Sequence, residues 1–277
     1  MKQARKRMIP MAVAMAFAAL MVLVFAMTAP LSWADENAEA PFPVGRLFFQ
    51  LNDTDEDLGI HLLVDGEPWR TLEIDDPRDQ RIFNVRTSGK LRRQGLTEFK
   101  FESAEPDFEQ FPAELFFQRF PEGEYDIEAK RLDGTTYESE VVITHLMPAP
   151  PARLAVNGAE APEDCDEGPV PVVSGPFVIS WEPVEFSHPE IGAPNNVPIR
   201  VVRYEVAVER DEPTFFKMDA TIDAPAPPGA PATSYEVPAS LFSPGDLVKF
   251  QVLVQGGDET GTENETSSES CFIVSSE

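Results

Sequence analysis

The chain is poor in the residue types that most often carry enzyme chemistry. Its 277 residues include two cysteines, three histidines and four tyrosines. The cysteines are not spaced as Cys-x-x-Cys and the histidines do not form a His-Glu-x-x-His pattern, so these zinc and thiol-redox motifs are absent. The sequence also lacks a nucleophile elbow, a P-loop and a dinucleotide-binding glycine run. We therefore predict that the protein is not an enzyme and needs no organic cofactor.

Positive charge is scarce as well. The chain has 22 lysines and arginines against 48 aspartates and glutamates, a formal net charge of −26. Nucleic acids and anionic lipid headgroups bind through lysine and arginine, so this composition argues against both as partners. It favours cations and basic partners, although adaptation to a salty habitat predicts the same acidity. The 20 phenylalanines supply apolar bulk for folded cores, unlike a disordered acidic tail.

The N-terminus has the pattern of a secretory signal peptide at residues 1–34. Four basic residues precede an apolar run from Met8 to about Leu31, and Ser32-Trp33-Ala34 places small residues at the −3 and −1 positions. The apolar run is also long enough for an uncleaved membrane anchor, but prolines bracket it and acidic residues follow it. We predict cleavage after Ala34 and no membrane span thereafter. The mature protein would be exported to the periplasm, the cell surface or the medium.

The two cysteines, Cys165 and Cys271, both belong to the predicted mature chain. An even cysteine count in an exported protein favours a disulfide between them, with two free thiols as the alternative. The bridge would close a loop of roughly 100 residues and contribute about 4–5 kcal/mol in the loop-entropy description.

Short segments of alternating polar and apolar residues, separated by turn signals, predict an all-β fold with little helix. Asp65-Gly66 predicts a tight hairpin between the strands Gly59–Val64 and Trp69–Ile74. One stretch differs: Pro112–Phe120 predicts a short helix, with a proline at its first position and another proline after it. The last strand is predicted at Ser270–Val274.

Composition divides the mature chain into two predicted domains. A flexible lead covers residues 35–44, the first domain covers 45–147, a proline-rich linker covers 148–152 and the second domain covers 153–277. Short strands at regular spacing favour two immunoglobulin-like β-sandwich domains in tandem over a barrel.

The second half resembles a fibronectin type III domain. Ile179-Ser180-Trp181-Glu182-Pro183-Val184 resembles the second strand of that family with its buried tryptophan, and Tyr204-Glu205-Val206 resembles the third strand. Val248 stands where the family has its corner tyrosine. In the first half, the stretch from Phe120 to Tyr125 is similar to the Gly-x-Tyr strand of immunoglobulin-like modules in bacterial exported proteins.

The resemblance implies a fold and a broad role. It identifies the chain as similar to bacterial exported fibronectin type III proteins, which serve mostly as spacers or binding scaffolds. A non-enzymatic structural, adhesion or protein-interaction module of the cell envelope would follow, with an unidentified protein or a surface polysaccharide as partner. Because one fold supports many functions, the resemblance does not name that partner.

An acidic run offers an alternative, calcium-dependent function. Asp53, Asp55 and Asp57 alternate along the chain, as carboxylate ligands do in calcium loops. The glycine falls at loop position seven instead of six, and Val64 occupies position twelve, where the loop needs glutamate. A solvated acidic turn between two strands therefore remains the competing interpretation. A secreted hydrolase that uses two carboxylates is a third alternative without a supporting motif.

Overall fold

The computed structural model describes residues 39–163, 165, 168–224 and 233–276. The predicted leader, its cleavage point and the first part of the flexible lead lie outside these residues. Within the described part of the chain, the helices lack the length and apolar composition of a membrane-spanning segment.

The first half is built mainly of strands, with two short helices. The predicted helix is confirmed as α2, and the elements are β1 (Glu39–Ala40), β2 (Val44–Asn52), β3 (Asp57–Asp75), β4 (Arg81–Arg86), α1 (Leu91–Gln94), β5 (Leu96–Glu102), α2 (Ala113–Arg119), β6 (Gly123–Arg131) and β7 (Thr136–Ile143).

The second half is also built of strands. Its elements are β8 (Ala155–Val156), β9 (Ala159–Glu160), β10 (Val172–Val173), β11 (Phe177–Ser180), β12 (Arg200–Arg210), β13 (Phe216–Asp223), β14 (Ser234–Val237), a single 3-10 turn (Ala239–Leu241), β15 (Leu247–Gly257) and β16 (Asn264–Val274). The predicted all-β sandwich fold is therefore confirmed.

The long strand β3 pairs with four other strands of the first half. Its first part pairs with β2 and β5, and its second part pairs with β4 and β6. Register shifts between Asp65 and Trp69 separate the two parts. The apolar faces of these strands enclose one core, whose largest buried side chains include Trp69, Phe49 and Tyr125.

The predicted hairpin at Asp65-Gly66 is wrong, because β3 continues through both residues as one strand. Gly66 does not have the positive φ that a tight hairpin turn requires. A Cβ atom at Gly66 would instead lie 2.9 Å from the ring of Tyr137, whose hydroxyl accepts a hydrogen bond from the Glu67 backbone N–H at 2.8 Å. The glycine thus allows the ring of a β7 residue to lie against the strand.

Two facing sheets enclose a separate core in the second half. One sheet contains β16, β15, β12 and β13, and the other contains β14, β11, β8 and β9. Between them, the rings of Trp181 and Tyr204 lie 5.2 Å apart. The Tyr204 hydroxyl accepts a hydrogen bond from the Val184 backbone N–H at 2.9 Å. The two aromatic residues that carry the family resemblance therefore pack in the core.

A tyrosine-corner hydrogen bond is present, but it belongs to the first half. The Tyr125 hydroxyl donates to the backbone carbonyl of Pro121 at 2.9 Å, which is the contact that a tyrosine corner makes just before its strand. In the second half, Val248 takes the equivalent position and is fully buried.

The two halves are joined through a shared sheet. β16 pairs antiparallel with β15 and also parallel with β2, where Glu265–Ser267 lies beside Gln50–Asn52. This contact connects the strands of both halves into one 12-stranded sheet. The predicted last strand, Ser270–Val274, is too short, because β16 begins six residues earlier at a buried polar stretch without apolar alternation.

Candidate functional site

The boundary between the halves is held by Asn264, whose side chain is fully buried at the start of β16. Its Oδ1 accepts a hydrogen bond from the backbone N–H of Phe49 on β2 at 2.9 Å. Its Nδ2 donates to the backbone carbonyls of Thr144 and Leu146 at 2.9 and 3.0 Å. One side chain therefore bonds β16 to two segments of the first half. We call β2, β16 and the residues bonded between them the seam.

A partly buried ion pair follows Asn264 in the seam. Nη2 of Arg46 on β2 lies 3.1 Å from Oε1 of Glu265 on β16. Burial raises the pKa of Glu265, while the charge and hydrogen bond of Arg46 act in the opposite direction. The pair adds a second polar contact between the halves and fixes the register of β16 against β2.

A loop of the second half, residues 185–199, is attached to the first half through His188. Its ring Nδ1 accepts backbone N–H groups of Glu190 and Ile191 at 3.1 and 2.7 Å. Because Nδ1 is an acceptor, Nε2 carries the hydrogen and donates it to Oδ1 of Asp53 at 2.9 Å. Ile191 packs against the first core. The loop is thus held by a polar and an apolar contact.

The acidic turn between β2 and β3 is organised by Asn52. Its Oδ1 accepts the backbone N–H groups of Thr54 and Asp55 at 3.2 and 3.4 Å. Its Nδ2 donates to Asp55 Oδ2 and to Glu269 Oε1, both at 3.0 Å. The backbone N–H of Glu269 donates to the Thr54 hydroxyl at 2.9 Å. The turn is therefore fastened to β16 and is part of the seam.

Asp57, the first residue of β3, lies among other carboxylates. Burial, followed by repulsion from Glu105, Asp55 and Glu269, raises the pKa of Asp57 to about 7. Its Oδ1 is buried and has no hydrogen-bond partner among the described residues. Glu105 is itself paired with His61, whose Nε2 lies 2.8 Å from Glu105 Oε1. The site therefore holds a carboxylate that takes up a proton near neutral pH.

The raised pKa of Asp57 predicts that the Asp57→Asn variant changes the pH dependence of stability. The folded protein holds this proton at pH values where the unfolded chain has lost it, so the associated stability decreases as the pH rises through about 7. The amide is neutral at every pH. We expect the variant to gain stability relative to the natural protein on going from pH 5 to pH 8, as measured by urea unfolding.

The matched control for this experiment is Glu236→Gln, an exposed carboxylate on β14. It should leave the pH profile unchanged. A profile for Asp57→Asn that runs parallel to that of the natural protein would contradict the raised pKa.

The predicted calcium ligands are not gathered into one set of ligand atoms. Asp53 and Asp55 are bonded to protein donors, while Asp57 lies among carboxylates. Within the described ranges, the group of three acidic side chains whose ligand atoms all lie within 4.8 Å of one another is formed by Glu124, Asp126 and Glu140 on β6 and β7. The calcium site at residues 53–57 stays a prediction.

A groove of about 770 Å³ opens where the acidic turn, the 185–199 loop and the proline-rich junction meet. Pro150, Pro151 and Phe108 give it apolar surface. The Arg153 guanidinium in its lining is paired with Glu182 outside it, at 3.5 Å. The lining also carries six carboxylates, which belong to Asp53, Glu56, Glu160, Glu163, Glu190 and Glu269. We call this strongly negative concave surface the junction groove.

The predicted disulfide between Cys165 and Cys271 is present and supports one side of the junction groove. Cys271 is fully buried on β16. The segment that contains Cys165 is also bonded to β16, since the Ser270 hydroxyl donates to the carbonyl of Pro162 at 2.6 Å. Glu163 comes from this segment, so its position relative to the seam is covalently restrained.

No protein-family model and no curated protein sequence matches the chain. Among solved structures, a biofilm-associated protein BSP domain is 11% identical with a TM-score of 0.23, covering 83% of this chain and 29% of its own length. The human OSCAR ligand-binding domain is 11% identical with a TM-score of 0.24 and coverage of 84% and 100%. The chicken CNTN1 FN1–FN3 domains are 11% identical with a TM-score of 0.25 and coverage of 84% and 64%. Such values carry no argument about function.

Proposed function

We propose that the protein is an exported, non-enzymatic interaction module of the cell envelope that binds a lysine- or arginine-rich segment of a partner protein in the junction groove. The observation that carries this proposal is the concentration of six carboxylates around a concave surface between two joined β-sandwich halves. Ligand sites in proteins often lie at such boundaries between domains. Negative potential in a concave site attracts basic segments and accelerates their association.

Bonds across the boundary between the halves support this proposal, because they fix the two sides of the groove relative to each other. Asn264, the Arg46–Glu265 pair and the His188–Asp53 hydrogen bond each cross the boundary between the halves. A binding surface that is already ordered loses less entropy when a partner binds. Export is supported by the disulfide, since such bonds persist in oxidising compartments. The proposal keeps the two domains predicted from composition, residues 45–147 and 153–277, as the units on either side of the groove.

The proposal predicts saturable binding of a short oligolysine peptide in the junction groove. The Glu160→Gln/Glu163→Gln variant removes two exposed charges from the groove and should weaken binding roughly fivefold at low salt, since exposed charge contacts contribute about 0.2–1 kcal/mol each. Isothermal titration calorimetry measures the affinity. An oligoglutamate peptide of the same length should not bind.

The matched control is Glu124→Gln/Glu140→Gln, which removes two exposed charges from the β6–β7 surface. It should change the affinity for oligolysine by less than the groove variant does. Equal weakening by both variants would mean that the peptide responds to total charge, and would contradict the groove as the binding site.

A calcium-dependent binding function is the second candidate, favoured by the buried Oδ1 of Asp57, which has no hydrogen-bond partner in the described part of the chain. A divalent cation near this atom would offset the repulsion among Asp57, Asp55, Glu105 and Glu269. This candidate needs Asp55 to exchange its hydrogen bond with Asn52 for the cation.

The calcium candidate predicts a higher melting temperature in millimolar calcium at pH 8. A ligand at 100 times its dissociation constant stabilises the folded state by about 2.7 kcal/mol. The Asp57→Asn variant should lose this response, and an equal concentration of sodium should not produce it. Identical melting curves with and without calcium would remove the candidate.

A further inference from the structure

The first half carries a second charged cavity, which is lined mainly by positive side chains and so has the opposite charge to the junction groove. A cleft of about 360 Å³ lies over the outer face of β4, β3 and β6. Its lining includes Arg70, Arg86, Arg92 and Lys130, together with the carboxylates of Glu73 and Glu128. A concentration of cations is unexpected in a chain with more than twice as many acidic as basic residues.

The register of the sheet explains the shape of the cleft. Thr71 on the central strand lies between Arg86 on β4 and Lys130 on β6, so a short side chain is flanked by two long cations. In the next row, Glu73 lies between Asn84 and Glu128. Because cross-strand partners project to the same face, Thr71 forms the floor of the cleft and the cations form its sides.

An irregularity in β3 adds a third cation. The register against β6 shifts between Trp69 and Thr71, which leaves Arg70 as an extra residue in the strand. Trp69 and Leu72 are both fully buried. Arg70 and Thr71, which lie between them, therefore both face outward. These two consecutive side chains line the same cleft. Bulges redirect side chains in this way and are frequent next to functional sites.

The guanidinium groups of this cleft are not neutralised by carboxylates. Within the described residues, Arg86 and Arg92 form no ion pair, and Arg70 donates from Nη2 to the backbone carbonyl of Arg131 at 2.9 Å. Six other arginines have acidic partners within 4.0 Å, whereas Arg78, Arg93, Arg119 and Arg203 form no ion pair among the described residues; the paired ones are Arg46, Arg81, Arg131, Arg153, Arg200 and Arg210. Three guanidiniums that form no ion pair among the described residues therefore line one cavity, and an anion between them would reduce their mutual repulsion.

The carboxylates of the cleft limit what that anion can be. Glu73 is occupied by Arg81 and by Asn84, whose Nδ2 donates to Glu73 Oε1 at 2.7 Å. Glu128 pairs with Lys130 at 2.6 Å. These negative charges oppose a densely charged polyphosphate, but their free lone pairs and the Thr71 hydroxyl can bond to hydroxyl groups. The lining therefore suits a ligand with one carboxylate next to several hydroxyls.

We propose that the cleft over β4, β3 and β6 binds a uronic acid residue of an acidic polysaccharide, with its carboxylate held by Arg86 and Arg92. Guanidinium groups bind carboxylates through two parallel hydrogen bonds, which gives both affinity and orientation. Arg70 adds a third guanidinium to the lining, and the cleft volume is within the range of small-ligand sites. The site is separate from the junction groove and does not depend on it.

The probe for this site is a short oligogalacturonate, compared with a neutral galactose oligomer of the same length and with inorganic phosphate. We expect saturable binding of the oligogalacturonate alone. The Arg86→Gln/Arg92→Gln variant should weaken it about tenfold or more, because it removes the two guanidinium groups that hold the carboxylate. Both side chains are exposed, so the variant should fold, and its melting curve verifies this.

The matched control is Lys90→Gln/Arg93→Gln, which removes the same charge from exposed positions beside the cleft without altering its lining. It should change the affinity less than twofold. Equal weakening by both variants, or no binding of the oligogalacturonate, would overturn the site. Inorganic phosphate binding as tightly as the sugar acid would overturn the assignment to a polysaccharide.

Discussion

Replacing Asn264 by alanine is expected to destabilise the protein by about 3–6 kcal/mol. The substitution leaves the Phe49 N–H and the carbonyls of Thr144 and Leu146 without their partner in a fully buried environment. Each unsatisfied buried group costs about 1–3 kcal/mol, and the three costs overlap because they share one site. Urea unfolding measures the loss.

The same variant should also change the number of unfolding transitions. The natural protein has two cores joined by a continuous sheet, so both cores are expected to unfold in one transition. When the seam is weakened, the less stable core should unfold first. Fluorescence of Trp69 in the first core and Trp181 in the second can be separated by replacing one or the other with phenylalanine.

Asn84→Ala is the control for the seam. Asn84 is exposed on β4 and donates a single hydrogen bond to Glu73, so its loss should remain within about 0.5 kcal/mol. If Asn264→Ala is no more destabilising than Asn84→Ala, the seam does not couple the halves.

Strand prediction succeeded where apolar alternation marks a buried face. The segments around Trp181 and Tyr204, which the sequence predicts to be strands of a sandwich, place both aromatic residues in the second core. In these segments the periodicity of the sequence reflects contact with a single core. Nothing beyond the local sequence is needed to recognise such a strand.

The seam could not be predicted in this way. Residues 264–268 of β16 are polar, and they are buried because β2 covers them from the other half. Asn264 and Phe49 are separated by 215 residues, and His188 and Asp53 by 135. Hydrophobic periodicity carries no information about a polar contact at such distances. The alternating acidic residues indicate the turn itself, but they indicate neither its hydrogen bonds to Glu269 nor its position at the edge of the junction groove.

The cleft over β4, β3 and β6 could not be predicted from the sequence for a different reason. Arg70, Arg86 and Arg92 are ordinary surface residues in the sequence, without a motif. Only the register of β4 and β6 against β3 places them around Thr71, and the irregularity after Trp69 moves Arg70 to the same side. Register depends on the whole sheet, so a charge cluster of this kind emerges only from the fold.

Reduction of the Cys165–Cys271 disulfide is expected to lower the unfolding free energy by about 4–5 kcal/mol. The bridge spans 106 residues of the sequence, and closing a loop of this length removes that much conformational entropy from the unfolded chain. For a protein of this size, the loss corresponds to a decrease in melting temperature of about 10 °C or more. Scanning calorimetry with and without a reductant measures it.

The folded structure should survive this reduction at 25 °C, because other bonds hold the Cys165 segment to β16. The Ser270 hydroxyl donates to Pro162, and the Ile273 backbone N–H donates to the Pro171 carbonyl at 2.9 Å. The Cys165→Ala/Cys271→Ala variant should match the reduced protein and should not respond to the reductant. Since the bridge acts mainly on the unfolded chain, oligolysine binding in the junction groove should persist in this variant. A reduced protein that melts at the temperature of the oxidised one would contradict a stabilising role for the bridge.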